Sequence, residues 1–207
     1  GLSPLYKDEI YDFGAGDNPY RYPNVDYYSS DYIRKAYNRS EATAEIEGGG
    51  KRAHFYSNIN FYRVGDVFKF GEAKHNHTNR FNVRGNVDVN ISDDIKAYVN
   101  ANATFYDASS AKGDYWSTAA SMRPNYPQNA APLIPIDYIS PSATNAWALI
   151  NNANLIDGKY FLAGSQENST HIFGDIYSAG KTKYTSRQFQ FDTGIKINLA
   201  KLLKGLS

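Results

Sequence analysis

Cysteine is absent from the 207 residues. That excludes disulfide frameworks and thiolate metal sites and leaves the redox compartment open. No run of 18 apolar residues exists, so no transmembrane helix is encoded. Charge of one sign is also missing: 22 Lys and Arg stand against 21 Asp and Glu, a formal net charge of +1. Such a chain has no strong field to gather nucleic acid or to repel a membrane, and no nucleic-acid partner is expected. The opening GLSPLYKDEI lacks a basic region followed by an apolar stretch, so no signal peptide is expected there. With LAKLLKGLS closing on a turn-like Lys-Gly, both ends read as cut, and a fragment of a longer chain is expected.

Catalytic and cofactor motifs are equally scarce. Ser109-Ser110-Ala111-Lys112 matches the S-x-x-K pattern of serine acylases, but it lies just past a strand signal and has no partner motifs. Gly14-x-Gly16 lacks a third glycine and a preceding strand, and Gly50-Lys51 lacks the remainder of a phosphate-binding loop. His75 and His77 share a face, yet no carboxylate or thiol cluster accompanies them, so solvated loop histidines are expected rather than a metal site. The expectation is a protein that is not an enzyme and needs neither cofactor nor metal.

What is present is tyrosine and alternation. Aromatics make up 15% of the chain, with 18 Tyr, a bias that suits strands, interfaces and sugar-binding surfaces. Residues 1–39 are irregular, with a short helix expected at Ser29 to Tyr37. From Ser40, Ala42, Ala44 and Ile46 alternate with Glu41, Thr43, Glu45 and Glu47. After the glycine run, Ala53, Phe55, Ser57, Ile59 and Phe61 alternate with His54, Tyr56, Asn58, Asn60 and Tyr62. A two-residue turn at Gly49-Gly50 would pair Ile46 with Ala53 and Ala44 with Phe55, and glycine tolerates the positive φ angles of that turn. In RFNVRGNVDVNISDDIKAYVNANATFY, a loop at Ser92-Asp93-Asp94 sets Val89 against Ala97, Val87 against Val99 and Phe81 against Phe105. A one-residue slip would mix the faces, so this register is well specified. A last strand is expected from about Tyr184 to Leu199, with Phe189, Phe191, Ile195 and Ile197 alternating with polar residues.

Connections alternate between tight turns and long loops, Arg63 to His77 and Asp107 to about Thr182. Within the longest, TNAWALINNANLI (Thr144 to Ile156) has the pattern of a short helix. Two all-β readings suit this pattern. Soluble antiparallel sandwiches alternate in the same way, and a carbohydrate-binding module of that kind is the alternative. Strand length favours a membrane barrel, because ordinary strands run about 5–6 residues. Phe81 to Ile91, at roughly 3.3 Å per residue and a tilt of about 40°, covers about 25 Å, the height of the apolar band of an outer-membrane barrel. Asn82, Asn86, Asp88, Asn100, Asn102 and Gln190 would then face a wet lumen. Val83, Val87, Val89, Val99, Phe189 and Ile195 would face lipid. In the long loop Trp116, Tyr126 and Trp147 either line a substrate path or pack the loop itself.

Five segments in order, DNPYRYPNVDYY, NRFNVRGNVDVNISDDIKAYVNANATFYD, SMRPNYP with PLIPIDYI, DGKYFL and KYTSRQFQFDTG, resemble the SusC/RagA family of TonB-linked outer-membrane transporters. The resemblance covers nearly the whole chain and matches the early barrel region. It implies an antiparallel meander of long strands forming part of a large transmembrane β-barrel of about 22 strands. It further implies import of glycans or peptides across the outer membrane of a Gram-negative bacterium, a SusD-type surface lipoprotein as cap, and TonB as energy source acting through a plug. Residues 1–39 and 108–182 would be extracellular loops, 40–107 four strands in two hairpins, 183–199 a further strand and 200–207 a periplasmic turn. The sequence departs from the family in showing no plug and only about five strands. Sheet edges are not tolerated in lipid, so the rest of the barrel is an expected partner, as is the bilayer.

Overall fold

A computed structural model describes residues 12, 15, 17–20, 24–121, 132–162 and 173–200. Five strands form one sheet in the order β1-β2-β3-β4-β7, an antiparallel meander. They are β1 Arg39–Gly49, β2 Ala53–Gly65, β3 His77–Asn90, β4 Ile95–Ala111 and β7 Lys181–Ile197. β4 and β7 reach 17 residues each, far beyond the usual 5–6. β7 starts and stops slightly earlier than the alternation suggested, and β4 runs on through Ser109 and Ser110, so the S-x-x-K serines are ladder residues.

The chain divides into two compact units. The sheet unit comprises Asn38–Gly65, His77–Ser109 and Lys183–Ser207. The loop unit comprises Gly1–Tyr37, Asp66–Asn76 and Ser110–Thr182.

In the sheet unit every strand sorts its residues by face. The β3–β4 hairpin has the expected register, Val89 to Ala97, Val87 to Val99 and Phe81 to Phe105, closed by Ile91 N donating to Ile95 O at 2.9 Å. The β1–β2 hairpin does not. Ile46 pairs with Ser57 and Ala44 with Ile59, while Gly49 pairs with His54 and Gly50 N donates to Ala53 O at 2.8 Å. The wider turn places Phe55 opposite Gly48, where a Cβ would lie 2.8 Å from the ring. The bare backbone of Gly48 is thus covered by an aromatic ring, a gain that the tight Gly-Gly turn would forfeit. The faces still agree, because the shift leaves the alternation intact.

One face carries Ala42, Ala44, Ile46, Phe55, Ile59, Phe61, Phe81, Val83, Val87, Val89, Val99, Phe105, Phe189, Phe191 and Ile195. No residue of the described sheet unit is buried. Phe189 is 73% exposed, Phe191 71% and Ile195 66%. No described residue of the sheet unit covers this face, which departs from the two-layer arrangement of soluble domains. On the loop side the apolar band ends at Phe61, Phe81 and Phe105, which are successive cross-strand partners. One step further lie Arg63, Asn79 and Asp107, again partners. Every charged side chain of this face lies at or beyond that row of phenylalanines.

Among the described residues, the loop unit holds every buried apolar side chain: the cluster of Tyr27, Phe68, Ala73, Tyr115, Ala119, Leu133, Ile156, Phe173, Ile176 and Tyr177, with Ile150 buried outside it on its own helix. It contains α1 (Tyr115–Ser121), α2 (Thr144–Ile150) and α3 (Gly174–Ser178), with β5 (Leu133–Pro135) paired to β6 (Tyr160–Leu162). α2 fulfils the first half of the pattern seen in TNAWALINNANLI. α1 begins at a cap: Asp114 Oδ1 accepts from Trp116 N at 3.0 Å and Ser117 N at 3.2 Å. The helix expected at Ser29 to Tyr37 is absent. Ser29 O takes Tyr32 N and Ile33 N for one turn, but Ile33 then pairs with Phe68 and Arg34 N donates to Val67 O at 2.7 Å. A tertiary ladder there outweighs a short helix of low intrinsic stability.

Candidate functional site

The second face of the sheet is built from amides. Glu45 accepts hydrogen bonds from the Tyr56 hydroxyl at 3.1 Å and Asn58 Nδ2 at 2.9 Å, and Asn60 Nδ2 donates to Thr43 Oγ1 at 2.8 Å. Asn82 Nδ2 donates to Asn102 Oδ1 at 3.0 Å and Thr104 Oγ1 at 2.7 Å. The row continues from Asn102 Nδ2 to Gln190 Oε1 at 3.3 Å, and Asn100 Nδ2 reaches Asp192 Oδ2 at 3.3 Å. Asn86 pairs with Asn100, and Asp88 stands between its cross-strand partners His54 and Tyr98. All six polar positions singled out from the sequence, Asn82, Asn86, Asp88, Asn100, Asn102 and Gln190, therefore share one face. An amide both donates and accepts, so such a row partly satisfies itself and still offers polar groups to water or a hydroxyl-rich solute. The face forms a shallow concavity of about 580 Å³ with Arg84 among its lining residues. Arg84 Nε reaches Asn86 Oδ1 at 3.4 Å and forms no ion pair among the described residues. Toward the loop end, Tyr62 carries the guanidinium of Arg39 at 5.2 Å and that of Arg80 at 5.4 Å.

In the loop unit the long-loop aromatics diverge. Trp116 is 43% exposed and stacks on Tyr28 with ring centroids 5.9 Å apart. Trp147 donates from Nε1 to Ser140 O at 3.0 Å within its own loop, a packing role. Tyr126 lies outside the described residues.

A separate cleft of about 300 Å³ is lined by Tyr20, Asn24, Asp26, Asp31, Tyr32, Phe70, Leu133 and Tyr160 among others. Rings beside carboxylates and an amide can stack on and hydrogen-bond a polar ligand. The sequence reading missed this cleft, although the density of Tyr and Asp in DNPYRYPNVDYYSSDY was its one visible signal.

The cleft walls are held by an ionic clasp. Asp157 has φ 53 and is the only non-glycine residue with positive φ among those described. Its carboxylate pairs with Lys74 and accepts from Gly71 N at 3.2 Å. The turn it opens is closed by Tyr160 N donating to Ile156 O at 3.0 Å. Burial pushes the phenols of Tyr27, Tyr115 and Tyr177 well above their usual range and that of Tyr32 up to about 12. These phenols stay neutral at ordinary pH; Tyr115 donates to Tyr27 O at 2.7 Å.

Compared with known proteins, the chain matches no family model, no curated protein and no solved structure.

Proposed function

We propose that this chain forms an arc of the wall of a TonB-dependent outer-membrane transporter importing glycans or oligopeptides. The observation that carries the reading is the uncovered apolar face of the sheet, bounded by a phenylalanine row and backed by a face of amides. A soluble module must bury its apolar face against a second layer. A barrel wall instead gives that face to lipid and the polar one to a wet interior. The span from Phe81 to Ile91, about 25 Å at a tilt of about 40°, suits the hydrocarbon band. Val83, Val87, Val89, Val99, Phe189 and Ile195 then touch lipid, and Asn82, Asn86, Asp88, Asn100, Asn102 and Gln190 line the lumen. The loop unit belongs to the outer surface, where its cleft and Trp116 meet the incoming solute. The sequence resemblance adds the SusD-type lipoprotein as cap and TonB as motor.

The first test is fractionation of cells carrying the full-length protein. Recovery in the outer membrane, released only by detergent, is expected; recovery as a soluble protein would return the sandwich module to favour. A strain lacking the protein should also fail to take up one class of oligosaccharide or oligopeptide.

A further inference from the structure

The charged residues of the apolar face are segregated to one end, and that segregation defines a binding surface. Below the row Phe61, Phe81 and Phe105 this face has no lysine, arginine, aspartate or glutamate on any of the five strands. Above it come Arg63 on β2, Lys181, Lys183 and Arg187 on β7, and a single carboxylate, Asp107 on β4; Lys181 is paired with Glu72 at 3.8 Å. Arg187 lies over the Phe105 ring with its guanidinium carbon 5.6 Å from the centroid. It donates to both Asp107 oxygens, at 2.9 and 3.0 Å, and to the carbonyl of Tyr106 at 3.0 Å. Asp107 is thus committed to Arg187 and to Thr185, whose hydroxyl donates to it at 3.0 Å. Arg63 and Lys183 are both exposed, and neither forms an ion pair among the described residues. The rim therefore keeps two uncommitted cations, three strand spacings, or about 14 Å, apart across the sheet, with Lys183 one pleat repeat further from the apolar band.

We propose that this rim binds the phosphate groups of a lipid headgroup, with Arg63 and Lys183 as the phosphate ligands and Arg187 fixing the edge between ring and charge. The proposal rests on the membrane reading above and adds the partner of one rim. Long basic side chains at the edge of an apolar band lay their stems along it and carry their charge into the headgroup layer. Anionic headgroups there attract each cation. The opposite rim offers no such pattern: Phe55, Val89, Ala97, Ile195 and Ile197 occupy the same face without a charge. The surface thus fits a leaflet whose lipids carry phosphate on the loop side.

The test uses the full-length protein in vesicles of phosphatidylcholine containing either bisphosphorylated lipid A or the same glycolipid with its phosphates removed. After detergent extraction the native protein should retain the phosphorylated form in clear excess. Arg63→Gln and Lys183→Gln should each lower that retention about fivefold, while insertion into phosphatidylcholine alone is unchanged. Lys51→Gln, in the turn at the other end of the sheet, should leave retention as it was. Insertion with equal retention of the two glycolipids, or retention indifferent to both substitutions, overturns the rim and leaves the barrel standing. Displacement by millimolar inorganic phosphate alone would show a free-anion site and overturn the lipid assignment. Failure to insert into any vesicle overturns the barrel and the rim together.

Discussion

Gly71 shows how narrowly single positions are specified. Its φ is +57, and a Cβ there would lie 2.1 Å from the carbonyl oxygen of Tyr177. Gly71→Ala meets both backbone strain, about 1–3 kcal/mol, and a clash with main chain that has no flexible end to move. Urea unfolding of the full-length protein followed by tyrosine fluorescence should show the loop unit melting early; an unchanged midpoint would mean that the turn can rearrange. Asp157→Ala should act in the same direction, since it removes the Lys74 pair and the Gly71 contact together. The buried tyrosines give the loop unit a pH limit. An unfolded phenol loses its proton at about pH 10. The folded Tyr32 holds its own up to about 12, and Tyr27, Tyr115 and Tyr177 are raised further by burial. Above about pH 10 the folded state therefore binds more protons than the unfolded one, and stability falls as pH rises. Their contribution is fully present below about pH 10. Phenolate absorbance and near-ultraviolet dichroism should change together above that point. A titration completed near pH 10 with the dichroism unaltered would contradict the burial.

Among the elements, the β3–β4 hairpin is the most exposed to experiment. Spin labels at Val87 and Asn86 in the bilayer-reconstituted protein should report higher oxygen access at 87 and higher access to a polar relaxation agent at 86. The opposite order would reverse the two faces. This hairpin was legible in the sequence because apolar residues alternate across Ser92-Asp93-Asp94 without interruption, and a slip of one residue would have mixed the faces. That Asn82, Asn86, Asp88, Asn100 and Asn102 share a face was legible for the same reason; Gln190, which joins them, was legible through the alternation of β7. The β1–β2 register was not, because it turns on one ring, Phe55, packing on Gly48, and alternation cannot tell two registers apart when both keep the faces. The loop unit was the least legible. β5 and β6 have 3 residues each, and they exist through pairing between Leu133–Pro135 and Tyr160–Leu162, far apart in the chain. The cleft of Tyr20, Tyr32 and Tyr160 gathers residues from several such segments, so no local pattern announces it. Ser29 to Tyr37 failed as a helix on similar grounds, a distant partner at Phe68 having claimed its backbone.

For the molecule as a whole, the core and the apolar surface have come apart. The buried residues lie in the loop unit, and the long strands contribute none. Expressed alone and without detergent, residues 1–207 should therefore associate rather than give a monomer with a cooperative β-sheet melting transition. The uncovered face and the edges of β1 and β7, which have no strand partner among the described residues, are both adhesive. A well-behaved soluble monomer would sink the barrel reading. The meander has a further consequence. Its strands run alternately up and down, so β1 and β7, the first and last of five, point the same way. A ring closed by antiparallel pairing throughout must contain an even number of staves. Five is odd, so on the proposed barrel reading the wall completing this arc would bring an odd number of its own, and the stave docking against β7 would climb from the tight-turn rim toward the loops.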